Sequence, residues 1–73
     1  RFREALQASY AEFCRRVDAG DETAIDPYAG ESIDEFFAVL SEVLFSAPEV
    51  LRDELPEAYA ALSDYYRWPT GIS

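Results

Sequence analysis

Residues 32–45 of the chain read SIDEFFAVLSEVLF, and this stretch decides the fold. Ser32 and Glu35 match the S-x-x-E capping box, in which a serine hydroxyl and a glutamate carboxylate bind the free amides at a helix start. The pattern predicts a helix over residues 33–46, and Pro48 cannot lie in its interior. Its apolar face consists of Phe36, Phe37, Leu40, Val43 and Leu44.

Apolar residues recur at three- and four-residue spacing on both sides of this stretch, which predicts three further helices. The first covers residues 2–17, and Gly20 is expected to close it in the left-handed conformation. Prolines suited to a first helical position predict helices over residues 48–54 and 56–67. The apolar faces are Phe2, Ala5, Leu6, Tyr10, Phe13, Cys14 and Val17 in the first helix, and Leu55, Ala58, Tyr59, Leu62, Tyr65 and Tyr66 in the last.

The connections carry their own signals. Ser46 and Glu49 repeat the capping pattern at the start of the third helix. Residues 18–31 show neither helical nor strand periodicity, so we expect an ordered loop there. Its Asp-Pro-Tyr tripeptide would hold Tyr28 in a defined direction. Because no segment alternates with the period of a strand, the predicted class is all-α.

Composition limits what the chain can do. Its 73 residues form at most one domain, read as a single helical segment over residues 1–73, and the 49% apolar content predicts a folded core. The net charge is −9, with fifteen acids spread along the chain, so nucleic acid is excluded unless the chain mimics DNA for a basic partner. No apolar run approaches the roughly 20 residues of a membrane span. The start at Arg1, without Met or signal segment, indicates a fragment of a longer protein.

Few residues could carry chemistry. The chain has no histidine, which excludes a Ser/His or Cys/His pair and a His-ligated metal within it. The single Cys14 is expected to pack in the core, and a lone cysteine is typical of a reducing, cytoplasmic compartment. Glu35 and Glu42 lie on one stripe of the second helix, roughly 10 Å apart along its axis. On pattern alone, Glu35 is a capping glutamate, Glu42 a surface acid and Tyr28 a packing residue.

Four blocks of sequence resemble a known family. The blocks are IDPYA at 25–29, DEFFAVLSE at 34–42, SAPE at 46–49 and YYR at 65–67. In this order they resemble the C-terminal region of the Mlc titration factor A family, over roughly residues 9–67. Members of that family are bacterial zinc-dependent peptidases of the gluzincin type, related to the lethal-factor-like peptidases.

The resemblance implies a role for two residues. In the family, two histidines of an upstream H-E-x-x-H helix and the glutamate matching Glu35 bind the zinc ion. The tyrosine matching Tyr28 points to the attacking water or the oxyanion, and Phe36 and Phe37 would pack on either side of the helix. The chain is thus expected to be the C-terminal part of a catalytic domain that cleaves peptides. It has no H-E-x-x-H helix of its own, so it should neither retain zinc nor act alone.

Two other interpretations remain open. The chain could be an acidic helical module that docks or sequesters a transcriptional repressor, as the family name implies, through its acidic surface and exposed aromatic residues. A fragment could also dimerise through Phe36, Phe37 and Leu40. The ending at residues 66–71 differs from the R-Q-D-P-like ending of the family, so we expect the last residues to follow a different path.

Overall fold

The computed structural model of the chain describes residues 2–66, which form four α-helices and one short 3-10 helix. No strand occurs in this range, which confirms the all-α class. Two predictions lie outside the described residues. They are the end of the last helix at residue 67 and, apart from Tyr66, the ending at residues 66–71 that differs from the family. The elements are α1 (Phe2–Asp18), the 3-10 helix (Pro27–Gly30), α2 (Ile33–Ser46), α3 (Pro48–Glu54) and α4 (Pro56–Tyr66).

The apolar face of α2 forms the centre of the core. Phe36, Leu40 and Leu44 are fully buried, and α2 contacts the 3-10 helix and all three other α-helices. Removing these side chains from water is the main stabilising contribution at this size. The sequence left open a dimer formed through Phe36, Phe37 and Leu40. This face is not available as an interface, because Phe36 and Leu40 are already buried within the chain. The other buried apolar residues are Leu6, Phe13, Ile25, Ala29, Leu51, Leu55, Ala58 and Leu62.

The end of α1 confirms the predicted glycine stop. Gly20 has a φ of +83°, the left-handed conformation that side chains with a Cβ atom disfavour. The Gly20 amide donates to the Val17 carbonyl and the Asp21 amide donates to the Arg16 carbonyl, both at 3.0 Å. This pair of bonds is the Schellman motif, which satisfies carbonyls left free at a helix end.

The two predicted capping patterns have different outcomes. At α2, the Ser32 hydroxyl accepts the Glu35 amide at 3.1 Å, as predicted. At α3 the prediction is wrong, because Pro48 takes the first helical position and makes Ala47 the cap, without a side-chain bond. Ser46 still belongs to α2, and its hydroxyl donates to the Glu42 carbonyl at 2.8 Å.

The last turn of α4 leaves the core. Tyr65 is 55% exposed and Tyr66 is also exposed, although the apolar pattern placed both on the buried face. The Tyr65 ring stacks on Phe2 with centroids 4.5 Å apart, and Tyr66 packs against Phe45 at 5.0 Å. Together with Phe37 these side chains form a surface aromatic cluster. None of the described helices is long and apolar enough to cross a bilayer.

The two ends of the connection between α1 and α2 provide a matched stability test. We expect Gly20→Ala to lower the free energy of unfolding by about 1 kcal/mol, because an added Cβ is strained at positive φ. Gly30→Ala should raise it by about 0.5 kcal/mol, since the backbone there allows a Cβ. That Cβ would meet Cys14 Sγ at 3.7 Å, an ordinary contact. Urea unfolding measures both, and equal effects would contradict the assignment of strain to Gly20.

Candidate functional site

The 3-10 helix holds Tyr28 at the surface. The Asp26 carboxylate accepts the Tyr28 amide at 3.0 Å, and the Thr23 hydroxyl donates to the Ile25 carbonyl at 2.6 Å. Ile25 and Ala29 are buried and anchor the segment on both sides of Tyr28. The Tyr28 side chain is 54% exposed. The predicted ordered loop is therefore confirmed, with the tyrosine facing outward from a capped turn.

Two side chains of α1 bind the end of this 3-10 helix. The Tyr10 hydroxyl donates to the Gly30 carbonyl at 3.1 Å, and the Cys14 thiol makes a weaker bond to the same oxygen at 3.8 Å. Partial burial and the neighbouring Cys14 thiol raise the pKa of Tyr10, so its hydroxyl remains a donor to a higher pH than that of a free tyrosine. Cys14 is half-buried and packs between α1 and the loop, close to its predicted role.

Glu35 lies in the first turn of α2, where its backbone is fixed and its carboxylate is uncommitted. The Ser32 hydroxyl binds its amide, and the next residue, Phe36, is fully buried. Among residues 2–66, the Glu35 carboxylate takes part in no hydrogen bond or ion pair. The residue is half-buried. The serine half of the capping box therefore forms, while the carboxylate remains free for another partner.

The two aromatic residues that follow Glu35 pack on different sides of α2, as the family resemblance implied. The Phe36 ring lies 5.2 Å from the Tyr10 ring and 5.7 Å from the Phe13 ring, in the core. Phe37 lies 6.1 Å from Phe2, in the surface aromatic cluster. These contacts fix the rotation of α2 about its axis, and with it the direction of Glu35.

The carboxylates do not gather into a complete metal site. Glu42 lies two turns after Glu35 and is exposed. Within the described range, no three His, Cys, Asp or Glu side chains come close enough together to hold a metal ion. Glu35 could therefore supply one ligand to an ion whose other ligands come from elsewhere.

Charge is distributed unevenly between the parts of the chain. Residues 17–51 contain nine acids and no Lys or Arg, while the remaining residues contain six acids and six arginines. The whole net charge of −9 thus falls on the segment that carries Tyr28 and Glu35. The acids are spread along the whole chain, whereas all six arginines lie outside residues 17–51. The position of the arginines therefore determines where the negative charge is concentrated. Such a field attracts cations and repels anions.

Two of the three arginines of α1, Arg15 and Arg16, form ion pairs outside this segment. Arg15 and Arg16 both bind the Glu12 carboxylate, Arg16 at 3.1 Å, and these bonds lower the pKa of Glu12. Arg16 also lies 3.8 Å from the Glu54 carboxylate. Glu12 is therefore compensated locally, in contrast to Glu35.

Tyr10 is the residue that sequence reasoning missed. Its position on the apolar face of α1 gave it a packing role, which accounts for its ring but not for its hydroxyl. The available signal was the hydroxyl itself, because a tyrosine on a core-facing stripe normally has a hydrogen-bond partner. That partner, the Gly30 carbonyl, is 20 residues away in sequence and follows only from the fold.

Comparisons with known proteins identify relatives. The family described as glucose-regulated metallo-peptidase M90 matches residues 1–67. Mlc titration factor A of Edwardsiella ictaluri is 42% identical over 66 residues, which cover 88% of this chain and 25% of that protein. The protein of the same name from Serratia proteamaculans is 47% identical over 64 residues, 85% of this chain and 24% of the relative. The protein of the same name from Pectobacterium atrosepticum is 47% identical over 47 residues, which cover 64% of this chain and 18% of the relative.

No solved structure matches significantly. The chain thus spans about a quarter or less of these relatives.

The pKa of Tyr10, raised mainly by partial burial, predicts a pH dependence of stability. The folded chain binds the hydroxyl proton more tightly than the unfolded chain, whose tyrosine has a pKa of about 10. The resulting stabilisation is therefore complete below pH ~10 and is lost as the pH rises through the folded pKa. In urea unfolding between about pH 8 and 11, the stability gap between the wild type and Tyr10→Phe should narrow above about 10. Leu6→Ala removes no titratable group, so its gap should not follow this course.

Proposed function

We propose, from the premise that the chain belongs to the glucose-regulated metallo-peptidase M90 family, that it supplies Glu35 and Tyr28 to the site of a zinc-dependent peptidase. The observation that carries this proposal is the Glu35 carboxylate, which is half-buried, held on a fixed helix start and uncommitted among residues 2–66. The intact protein, which extends beyond this segment in the relatives, completes the site.

Glu35 fits the ligand role chemically. A catalytic zinc ion takes three protein ligands, of which one is a carboxylate in the two-histidine, one-glutamate type. The chain has no histidine, so the other two ligands come from outside residues 1–73, from an H-E-x-x-H helix by the family resemblance. When bound, zinc makes a water molecule acidic at neutral pH and polarises the substrate carbonyl. Glu35 would hold one coordination position of that ion.

Tyr28 fits the role of a hydrogen-bond donor to the oxyanion. Its backbone is fixed by the Asp26 cap and the buried Ala29, while its side chain is exposed to solvent. Such a donor stabilises negative charge that develops on the carbonyl oxygen in the transition state. A fixed backbone matters because the donor must already be in place when the charge appears.

The electrostatic field of residues 17–51 supports a peptide substrate bound by its amino end. Nine carboxylates without a basic residue favour a positively charged group near Tyr28 and Glu35. The ammonium group at a peptide N-terminus is such a group, which agrees with an aminopeptidase.

The test replaces Glu35 in the intact protein, with Glu42 as a matched control on the same helix. Glu35→Gln should lower zinc content at least about tenfold and abolish peptide turnover, because the amide is a poor zinc ligand. Glu42→Gln, at an exposed position two turns away, should change neither. Metal analysis and aminopeptidase assays measure both variants. Zinc retention by Glu35→Gln, or equal loss in the two variants, would contradict the ligand role.

A second substitution separates the tyrosine from the ligand. Tyr28→Phe should keep zinc and the KM for a peptide unchanged, and should lower kcat by about 100-fold or more through loss of one oxyanion donor. Tyr59→Phe is the control, since Tyr59 is half-buried in α4 and packs against the core. A full kcat in Tyr28→Phe would rule out its catalytic role.

The surface aromatic cluster favours a second function, the binding of a regulatory protein. The relatives carry the name Mlc titration factor A, and this segment presents exposed Phe45, Tyr65 and Tyr66 on an acidic chain. Exposed aromatic residues are enriched in protein interfaces, where acids steer a basic partner. The partner in this interpretation is the transcriptional repressor Mlc.

The two functions predict opposite responses to two variants. Phe45→Ala in the intact protein should weaken binding to purified Mlc at least about tenfold while leaving peptide turnover unchanged. Glu35→Gln should abolish turnover and leave Mlc affinity unchanged. Calorimetric titration and the peptidase assay provide the readouts. Unchanged Mlc affinity in Phe45→Ala would exclude this cluster as the docking surface.

A further inference from the structure

We propose that Tyr10 is a positioning residue that sets where Tyr28 lies relative to Glu35. This inference rests on the proposed function of those two residues. Tyr10 is in α1, outside both elements that carry them, and contacts each element with a different part of its side chain.

The hydroxyl of Tyr10 fixes the 3-10 helix. It donates to the Gly30 carbonyl at 3.1 Å, two residues after Tyr28. Apart from the weak bond of the Cys14 thiol, the remaining polar bonds of the turn are local: the Ala29 amide donates to the Asp26 carbonyl and the Glu31 amide to the Tyr28 carbonyl. Local bonds define the shape of the turn but do not determine its distance from another helix. The Tyr10 bond joins the turn to α1 across 20 residues of sequence.

The ring of Tyr10 fixes α2. It packs edge-on against Phe36, with centroids 5.2 Å apart and the planes at 66°. Phe36 is fully buried and directly follows Glu35, so its position determines the start of α2. One side chain thus connects the tyrosine-bearing turn with the glutamate-bearing helix.

Among residues 2–66, no other hydrogen bond of comparable strength joins the 3-10 helix to α1. The Cys14 thiol reaches the same Gly30 carbonyl, but at 3.8 Å it is a longer bond from a weak donor. Burial of Ile25 and Ala29 holds the segment against the core. Apolar contacts of this kind are not directional, so they allow small shifts that a hydrogen bond opposes. Loss of the hydroxyl should therefore displace Tyr28 without unfolding the segment.

The catalytic consequence follows from the geometry of the transition state. A displacement of about 1 Å at a catalytic group can lower a rate by 100-fold. For the smaller shift expected here, Tyr10→Phe in the intact protein should lower kcat about tenfold. KM and zinc content should remain unchanged, because neither depends on the Tyr28 hydroxyl.

A double-mutant cycle distinguishes positioning from general stability. The variants are Tyr10→Phe, Tyr28→Phe, the double variant and the control Tyr59→Phe, all in the intact, zinc-loaded protein. If Tyr10 acts through the Tyr28 hydroxyl, Tyr10→Phe should change kcat less than about twofold in the Tyr28→Phe background. A merely structural loss would lower kcat by the same factor in both backgrounds. That result, or an unchanged kcat in Tyr10→Phe, would overturn the proposal.

Hydrogen exchange gives a readout independent of activity. The amides of Ala29 and Glu31, which close the turn, should exchange faster in Tyr10→Phe and at the wild-type rate in Tyr59→Phe. If Tyr28→Phe retains full kcat, the proposed function fails, and exchange then decides the positioning role alone. Unchanged exchange at both amides would overturn it.

Discussion

Burial of one face of α2 is the interaction on which the rest of the molecule depends. Phe36, Leu40 and Leu44 are fully enclosed, and each such side chain contributes roughly 1.5–3 kcal/mol. Because α2 contacts every other described helix, the remaining elements are arranged around this face. Glu35 precedes the first of these residues, so its position is a direct consequence of core packing.

The two candidate site residues are held by different kinds of force. Glu35 is fixed by burial of its neighbour, which involves many atoms and tolerates the loss of any one contact. The segment of Tyr28 is also anchored by buried Ile25 and Ala29, but the position of Tyr28 depends in addition on individual hydrogen bonds, from the Asp26 cap and from Tyr10 at Gly30, each contributing a net of about 1 kcal/mol. Removal of a single atom can therefore shift Tyr28 while leaving Glu35 in place. The position of Tyr28 is therefore more sensitive to a single substitution than the position of Glu35.

Periodicity predicted the helices well because α2 and its neighbours bury continuous apolar stripes. It failed where the structure depends on a shift of one residue along the chain, or on residues that are distant in sequence. Ser46 matches a capping pattern, but the proline that starts α3 moves the cap to Ala47. Tyr65 continues the apolar stripe of α4 past the point where the core ends. The link from Tyr10 to Gly30 has no local signature, because only the packing of α1 brings the two together.

The uneven distribution of basic residues explains why Glu12 has ion-pair partners and Glu35 has none among residues 2–66. In α1, Glu12 lies one turn from Arg15 and Arg16, and those pairs satisfy its charge within the helix. Between residues 17 and 51 no basic residue is available, and no arginine among residues 2–66 forms an ion pair with Glu35. Among residues 2–66, the half-buried Glu35 carboxylate has no hydrogen-bond or ion-pair partner to offset the cost of its partial burial. A cation supplied from outside this segment removes that cost. If an arginine already lay beside the Glu35 carboxylate, the carboxylate would bind such a cation less strongly.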